Sequence, residues 1–552
     1  MSMRIPGLLL IAVVQALMAQ DAVTIEVDAA RRVGAYKPIY SWFGYDEPNY
    51  TYGKYGPKLI GELARLSPST VYLRTHFMLC TGDGSPGLKW GSTNAYTEDA
   101  SGKPVYDWTI TDRIFDTYLK AGAKPFVEIG FMPQALSVKP NPYKPTWVMG
   151  ARNDQYSIGW SYPPKDYDKW SELVYRWVRH TEEKYGRAEV ASWYWEVWNE
   201  PDISYWHGTA EDYDRLYDSA AAGLKRALPT ARIGGPATTS PRNPHAAEYL
   251  RQFLAHCGEK QTPLDFITYH AKGQPRVIDG QVRMGVSDEL NDVSRGMEVI
   301  NQFPQYAKLP IVLSEADPEG CAACSARLYP NNVYRNGTLY AAYTAEAVNG
   351  IFTVADRLHS NIQGMLTWAF EFEGQPYFDG FRSLATNGID KPVLNIFRMF
   401  GLMKGDRLKV QSSGAVPVDA ILKSGVREKN DVNALATIAE REIAAMVWNY
   451  HDDNLPYPPA AAVELTIAGV PAEAGRVLLR HYRIDEDHSN AYAVWKSLGS
   501  PQNPTTDQYA RLEAAGQLQL LTSPEWVSPQ GGKVIAKFNL PREAISLVQV
   551  SW

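Results

Sequence analysis

Between Tyr36 and about Phe400, short apolar runs alternate with longer stretches of helical period. The runs occupy 39–44, 70–76, 125–131, 193–198, 232–235, 265–270, 310–314 and 362–370. Their length and flanks predict strands. Between them, Trp170, Leu173, Val174, Trp177 and Val178 recur at i, i+3, i+4, i+7, i+8, which predicts an amphipathic helix over Tyr167–Tyr185 with Gly186 as its stop. Eight strands alternating with helices predict an α/β fold, a (β/α)8 barrel spanning 37–400. A doubly wound sheet would usually carry a Gly-rich phosphate turn near its start, and none is present. Beyond about residue 405 the period changes to two. Segments 434–439 and 443–449 flank Glu440-Arg441-Glu442 as a hairpin, and 463–467, 475–482, 534–538 and 544–550 add further strands. This predicts an accessory β-sandwich built from 401–552, joined by 20–36 through an edge strand at 24–27. Segment 485–521 reads as an elaborated loop with a short helix near 507–514.

Composition narrows the function. The chain has 552 residues, 45% hydrophobic and 21% charged, with a net charge of -6. Disorder is excluded, and without a Lys/Arg block neither nucleic acid nor an anionic membrane is an expected partner. With 16 Trp, 33 Tyr and 16 Phe, aromatic rings suffice for a large core and for lining a groove. Residues 1–19 place Arg4 ahead of a short apolar run that ends in small residues, the pattern of a cleaved signal peptide. An exported protein, periplasmic or secreted, is expected. No other segment approaches about 18 uninterrupted apolar residues.

The chemistry concentrates at two strand ends. Trp195-Glu196-Val197-Trp198-Asn199-Glu200-Pro201 closes the fourth predicted strand, and Pro310-Ile311-Val312-Leu313-Ser314-Glu315-Ala316-Asp317 closes the seventh. In such a barrel the C-terminal strand ends form the mouth, so Glu200 and Glu315 are expected to face one another over a ligand. Two carboxyl groups across a cleft are the minimum apparatus for cleaving a glycosidic bond.

Trp-Asn-Glu-Pro and Ser-Glu-Ala-Asp resemble the signatures of clan A glycoside hydrolases. The series Phe43-Gly44-Tyr45-Asp46-Glu47-Pro48-Asn49-Tyr50, Tyr72-Leu73-Arg74-Thr75-His76, Gly130-Phe131-Met132-Pro133, Asp265-Phe266-Ile267-Thr268-Tyr269-His270, Trp368-Ala369-Phe370-Glu371 and Asn387-Gly388-Ile389-Asp390-Lys391-Pro392-Val393 resembles glycoside hydrolase family 39. That family holds β-xylosidases and α-L-iduronidases. The likeness covers most of the chain after the leader and is closest to bacterial β-xylosidases. It implies Glu200 as acid/base and Glu315 as the nucleophile of a retaining double displacement. It also implies a substrate-binding set of Asn199 at the sugar 2-hydroxyl, His76 and His270 lining the glycone subsite, and Trp368 stacking on the sugar, with Phe131 alongside. Arg74 is expected beside Glu315, holding it ionised. No metal or other cofactor is expected. The implied substrate is the terminal β-D-xylosyl residue of a xylo-oligosaccharide, the reaction of a xylan 1,4-β-xylosidase. Lys272, in His270-Ala271-Lys272-Gly273, departs from many xylosidases and resembles the iduronidase lysine that meets the substrate carboxylate, with Arg382 as a possible assistant. An alternative pairs Lys272 with Glu371, Glu373 or Asp379. An iduronidase-like enzyme, or an exo-glycosidase acting on an arabinoside, glucoside or galactoside, is therefore the alternative reading, and a non-catalytic carbohydrate-binding protein the reading from another class. Xylosidases that share His-x-Lys-Gly favour xylose.

Three further features remain open at this level. The 139–162 segment, with Tyr143, Trp147 and Trp160, is expected either to wall the site or to pack on itself. Trp206 and His207 are candidates for the leaving-group side. Cys321-Ala322-Ala323-Cys324 reads either as a local disulfide or as free thiols.

Overall fold

The computed structural model describes residues 22–144, 147–149, 158–454 and 460–552. The leader reading at 1–19 lies outside the described residues. Eight parallel strands close into a barrel: Trp42–Tyr45, Tyr72–Thr75, Lys124–Ile129, Tyr194–Val197, Arg232–Thr238, Phe266–Lys272, Ile311–Asp317 and Ile362–Trp368, numbered one to eight below. Strand eight pairs with strand one, Leu366 opposite Trp42, which completes the ring. Helix Tyr167–Tyr185 forms as expected. Asp166 caps it by accepting from the Asp168 and Lys169 amides, Trp170, Leu173, Val174, Trp177 and Val178 face inward, and Gly186 ends it at a φ of 89°.

Alternation along the strands stacks the barrel interior in layers. At the N-terminal end, Trp42, Tyr72, Phe126, Tyr194 and Phe266 form an aromatic floor, with Trp42 4.3 Å from Tyr72 and Tyr194 5.0 Å from Phe266. Two residues on, Arg74, Glu128 and Glu196 form a fully buried charged layer. Two residues further along strand two, His76 reaches the mouth.

Two register shifts re-aim side chains there. One falls between Leu313 and Glu315, leaving Ser314 as the extra residue. The other falls between Pro236 and Thr238, around Ala237 at a φ of 54°. Each is a bulge, a device that re-aims side chains beside active sites.

The second unit is one continuous nine-stranded sheet rather than two separate ones. Val23–Ala35 is an interior strand rather than the expected edge strand, antiparallel to Asp406–Ser412 on one side and parallel to Ala461–Ala468 on the other. The sheet curls so that Ile25, Val27, Val432, Ala445, Leu465, Leu479 and Val548 share one core. The expected hairpin is present, Asp431–Ala439 pairing with Glu442–Tyr450 around Glu440 and Arg441.

Segment 485–521 is more ordered than a loop. It holds helices Ala491–Ser497 and Thr506–Ala515, and strand Gln519–Val527 begins inside it. Ala491, Trp495 and Leu512 pack on Phe378 and Ile389, tying the excursion to the barrel.

Helix Thr338–Arg357 is apolar around most of its circumference because it lies between barrel and sheet. On the sheet side, the Trp448 indole donates to Glu346 at 2.7 Å and Asp431 at 3.1 Å. Among the described residues no helix is long and apolar enough to cross a membrane.

Candidate active site

Glu200 and Glu315 meet at the C-terminal mouth of the barrel. Strand four ends at Val197, three residues before Glu200. Trp198 and Glu200, with φ of 71° and 45°, then turn the chain over the barrel rim. Non-glycine residues held in the left-handed region cost about 1–3 kcal/mol each and cluster where geometry is functional. The Glu200 amide donates to the Ala237 carbonyl at 2.9 Å, so the bulge on strand five anchors it. Glu315 instead stands within strand seven. One carboxylate oxygen of each and a ring nitrogen of His270 lie within 4.8 Å of one another, the one grouping of that kind among the described residues. The His270 Nδ1 is 2.9 Å from Glu200 Oε1 and 3.9 Å from Glu315 Oε2. Three such donors could hold a cation in principle, but the Lys272 ammonium already lies 2.7 Å from Glu315 Oε2.

The electrostatics of the two carboxyl groups differ. Glu315 is 6% exposed, and burial alone would favour its neutral form. Lys272, His270 and His76 outweigh burial and hold it well below the usual carboxylate range. Glu200 keeps 16% of its side chain exposed, and among the described residues its one ion-pair partner is His270. His76 is buried, which opposes its charge, yet Glu128 at 2.5 Å from Nδ1 pushes its pKa up to about 9. Its charge therefore contributes fully below the ordinary histidine value and is lost as pH rises through about 9.

A cavity of about 410 Å³ lies over the pair, lined by Asp46, His76, Asn199, Glu200, Lys272, Glu315 and Trp368 among others. The Arg74 guanidinium donates to Asn199 Oδ1 at 3.0 Å. Arginine only donates, so this bond fixes the amide and leaves Asn199 Nδ2 to donate elsewhere. Trp368 forms one wall, its ring 4.1 Å from His76 and its indole nitrogen 3.3 Å from Asp46 Oδ2. The ring's seat requires Gly44: a Cβ there would sit 2.4 Å from Trp368 Cε3. A larger hollow of about 690 Å³ opens at the opposite end, lined by Tyr36, Tyr40, Lys404 and Glu442 among others. It lies away from the strand ends that carry chemistry in such barrels.

Several expected positions need correction. Arg74 does stand beside Glu315, at 3.7 Å, but it is not the nearest cation. It meets Glu196 at 2.6 Å and Glu128 at 3.0 Å more closely, because strand alternation seats it one layer below. Lys272 is nearest instead, and it pairs with Glu315 and Asp317, each at 2.7 Å, rather than with Glu371, Glu373 or Asp379. Arg382 does not reach the cavity. It is fully buried behind strand seven, donating to the Trp368 carbonyl at 3.0 Å and meeting Asp317 at 3.4 Å and Glu319 at 3.1 Å. His270 is likewise fully buried beneath Glu200, below the wall rather than on it. Phe131 lies behind His76, packed 4.5 Å from Trp160 and 5.1 Å from Trp198. Trp206 donates to the Thr209 carbonyl, and Ile203 and Tyr205 face the cavity in its place.

Several lining residues escaped the sequence, Ile203, Tyr205 and Gly320 among them. Asp46 was legible in principle, since it follows strand one as His76 follows strand two. Lys89 comes from a loop and is brought in by its 2.7 Å pair with Asp46. Thr239 and Ser240 follow strand five. Trp147 does line the cavity, while residues 145–146 and 150–157 of that loop lie outside the described residues. Cys321 and Cys324 are disulfide-bonded, and Cys321 lines the same cavity.

Residues 68–527 match the family model described as Glycosyl hydrolases family 39. A β-xylosidase of Geobacillus stearothermophilus is 26% identical over 482 residues, 84% of this chain and 85% of that protein. Human α-L-iduronidase is 26% identical over 419 residues, 69% of this chain and 60% of that protein. Among solved structures, a monomeric β-xylosidase from Caulobacter crescentus CB15 superposes with a TM-score of 0.76 at 22% identity, covering 96% of this chain and 99% of that one, which establishes the shared fold. With two carboxyl groups facing each other at the mouth of a barrel and a family match over most of its length, the chain belongs to glycosyl hydrolase family 39.

Proposed function

We propose that this glycoside hydrolase is a retaining exo-β-xylosidase that removes terminal β-D-xylosyl residues from xylo-oligosaccharides. The observation that carries the reading is the approach of the Glu200 and Glu315 oxygens to within 4.8 Å. Retention needs carboxyl groups roughly 5–5.5 Å apart, whereas inversion leaves about 6.5–9.5 Å for a water. On this reading Glu315, held ionised, attacks the anomeric carbon while Glu200 protonates the departing oxygen. Glu200 then takes a proton from the water that hydrolyses the glycosyl-enzyme. Asn199 Nδ2 is free to donate to the sugar 2-hydroxyl, and Trp368 offers its face to the ring.

The glycone assignment draws on Lys272. Its ammonium is engaged by Glu315 and Asp317, so a substrate carboxylate would have to compete with both for it. That favours a neutral sugar such as xylose over a uronide. The pattern at 1–19 supports export, and the Cys321–Cys324 disulfide fits an oxidising compartment.

A panel of aryl glycosides tests the reading: β-D-xyloside, α-L-iduronide, α-L-arabinoside, β-D-glucoside and β-D-galactoside. The xyloside should be turned over with the highest kcat/KM, and proton NMR of early product should show the β anomer. A preferred iduronide would replace the glycone assignment, and an initial α anomer would exclude retention.

Lys272 also sets an expected pH response. Burial raises the Glu315 pKa and Lys272 is the largest single influence lowering it. Lys272→Met should therefore move the acidic limb of the kcat/KM profile to higher pH. The same pairing contributes stability above the ordinary carboxylate range and loses it as pH falls through the depressed value. An acidic limb that does not move would assign this work to His270 and His76.

A further inference from the structure

We propose that the Cys321–Cys324 disulfide is a specificity element of the sugar cavity, and that Arg335 is the positioning residue that ties it to strand seven. The proposal rests on the cavity being the substrate site. Gly320 and Cys321 form part of the cavity wall, so the disulfide turn stands against whatever occupies it. This turn has no regular secondary structure to fix it. Besides the bond itself, it is held by the buried Arg335 guanidinium, by the Asn332 amide, and by the Arg382 backbone amide, which donates to the Ala322 carbonyl at 3.0 Å.

Arg335, 1% exposed, donates to the Cys324 carbonyl from Nη1 and to the Cys321 carbonyl from Nη2, both at 3.0 Å. Both halves of the turn thus end on the same planar fork, a geometry lysine does not reproduce. The Asn332 amide adds a bond to the Cys324 carbonyl at 2.8 Å.

Charge alternates from there to the reaction centre. Glu319 Oε1 lies 3.0 Å from Arg335 and 3.1 Å from Arg382. Arg382 lies 3.4 Å from Asp317, and Asp317 shares Lys272 with Glu315. A shift of the turn would therefore be felt at Glu319, the shared partner of both arginines. On its other side, Ser325 Oγ contacts Met149 Sδ at 3.2 Å, beside the loop that carries Trp147. The turn thus lies between two parts of the cavity wall.

The bond can be opened selectively. The chain has four cysteines, and the other two, Cys80 and Cys257, are buried free thiols. Cys321 is exposed. Dithiothreitol would supply two electrons and two protons, breaking the S–S bond into two thiols while closing to its own cyclic disulfide.

Kinetics on aryl β-D-xyloside, xylobiose and xylotriose should be compared for the oxidised enzyme, the reduced enzyme and Cys321→Ser/Cys324→Ser. Reduction and the double substitution should each raise KM about three- to tenfold with kcat within about twofold, the signature of lost uniform binding. Reductant should leave the double variant unchanged, and Arg335→Lys should raise KM with the disulfide intact. If the double variant does not fold, reduced wild-type enzyme carries the test. An unchanged KM after complete reduction, verified by thiol titration, overturns the proposal. So does an equal fall in kcat and kcat/KM on every substrate, which marks a merely structural bond. Should the enzyme hydrolyse no glycoside, the xylosidase reading fails by itself. Tryptophan fluorescence titration with xylobiose then decides: weaker binding on reduction supports the element, and equal binding overturns it.

Discussion

Replacing Glu315 with glycine should reduce kcat on an aryl β-D-xyloside by on the order of 10⁴-fold, about 5.5 kcal/mol of transition-state stabilisation. The substitution removes the only atom proposed to bond the anomeric carbon. Its surroundings are prepared to keep that atom anionic: Lys272 at 2.7 Å, His76 at 3.5 Å, Arg74 at 3.7 Å and His270 at 3.9 Å. The fold should tolerate the loss, because Lys272 keeps Asp317 at 2.7 Å and is not left as an unpaired buried charge. Azide can then enter the space left by the side chain. It would attack from the face Glu315 used, in one displacement, and give the α-xylosyl azide. Rates with and without azide, and the anomer by NMR, check both halves. A variant that stays within tenfold of wild type removes Glu315 from the nucleophile role.

The contrast between Glu315 and Arg74 shows what a sequence can carry. Glu315 and Glu200 were legible because each follows an apolar run, and a closed barrel delivers such positions to one mouth whatever the loops do. The layering inside the barrel was not legible at the same level. Tyr72, Arg74 and His76 share one face of strand two, but which layer meets Glu315 depends on how strand seven is staggered around the ring. The bulge at Ser314 sets that stagger, and no turn residue announces it. Arg74 reaches Glu315 at 3.7 Å as its strand position implies, but the nearer cation is Lys272 from the neighbouring strand. Lys89 had no signal, since its place at the cavity comes from a salt bridge to Asp46 rather than from any strand. In the second unit the strand period was plain. The joining of its halves into one sheet was not, because it depends on Val23–Ala35 pairing with strands about 380 and 440 residues away. Strand Gln519–Val527 was missed because its side chains are mostly exposed, which removes the alternation that marks a half-buried strand.

Glu200→Ala should give a loss that depends on the leaving group, which separates its role from that of Glu315. For xylobiose, whose departing sugar needs a proton, kcat/KM should fall by about 10²–10⁴-fold. For a dinitrophenyl β-D-xyloside, which leaves without protonation, the first step should be largely spared and the glycosyl-enzyme should accumulate, giving a burst. The partly exposed position of Glu200, with 16% of its side chain open to solvent, leaves room for a small anion once the carboxyl is gone. Azide should therefore accelerate breakdown of the intermediate and yield the β-xylosyl azide, the opposite anomer from the Glu315 variant. His270 sharpens the prediction. Its Nδ1 is 2.9 Å from Glu200 and 3.9 Å from Glu315, so in Glu200→Ala the nearer partner is lost and only the nucleophile remains within reach. A histidine able to replace the acid would hold xylobiose turnover near the wild-type rate, and that result would move the acid/base role from Glu200 to His270. An equal loss on both substrates would instead remove proton donation from Glu200 altogether.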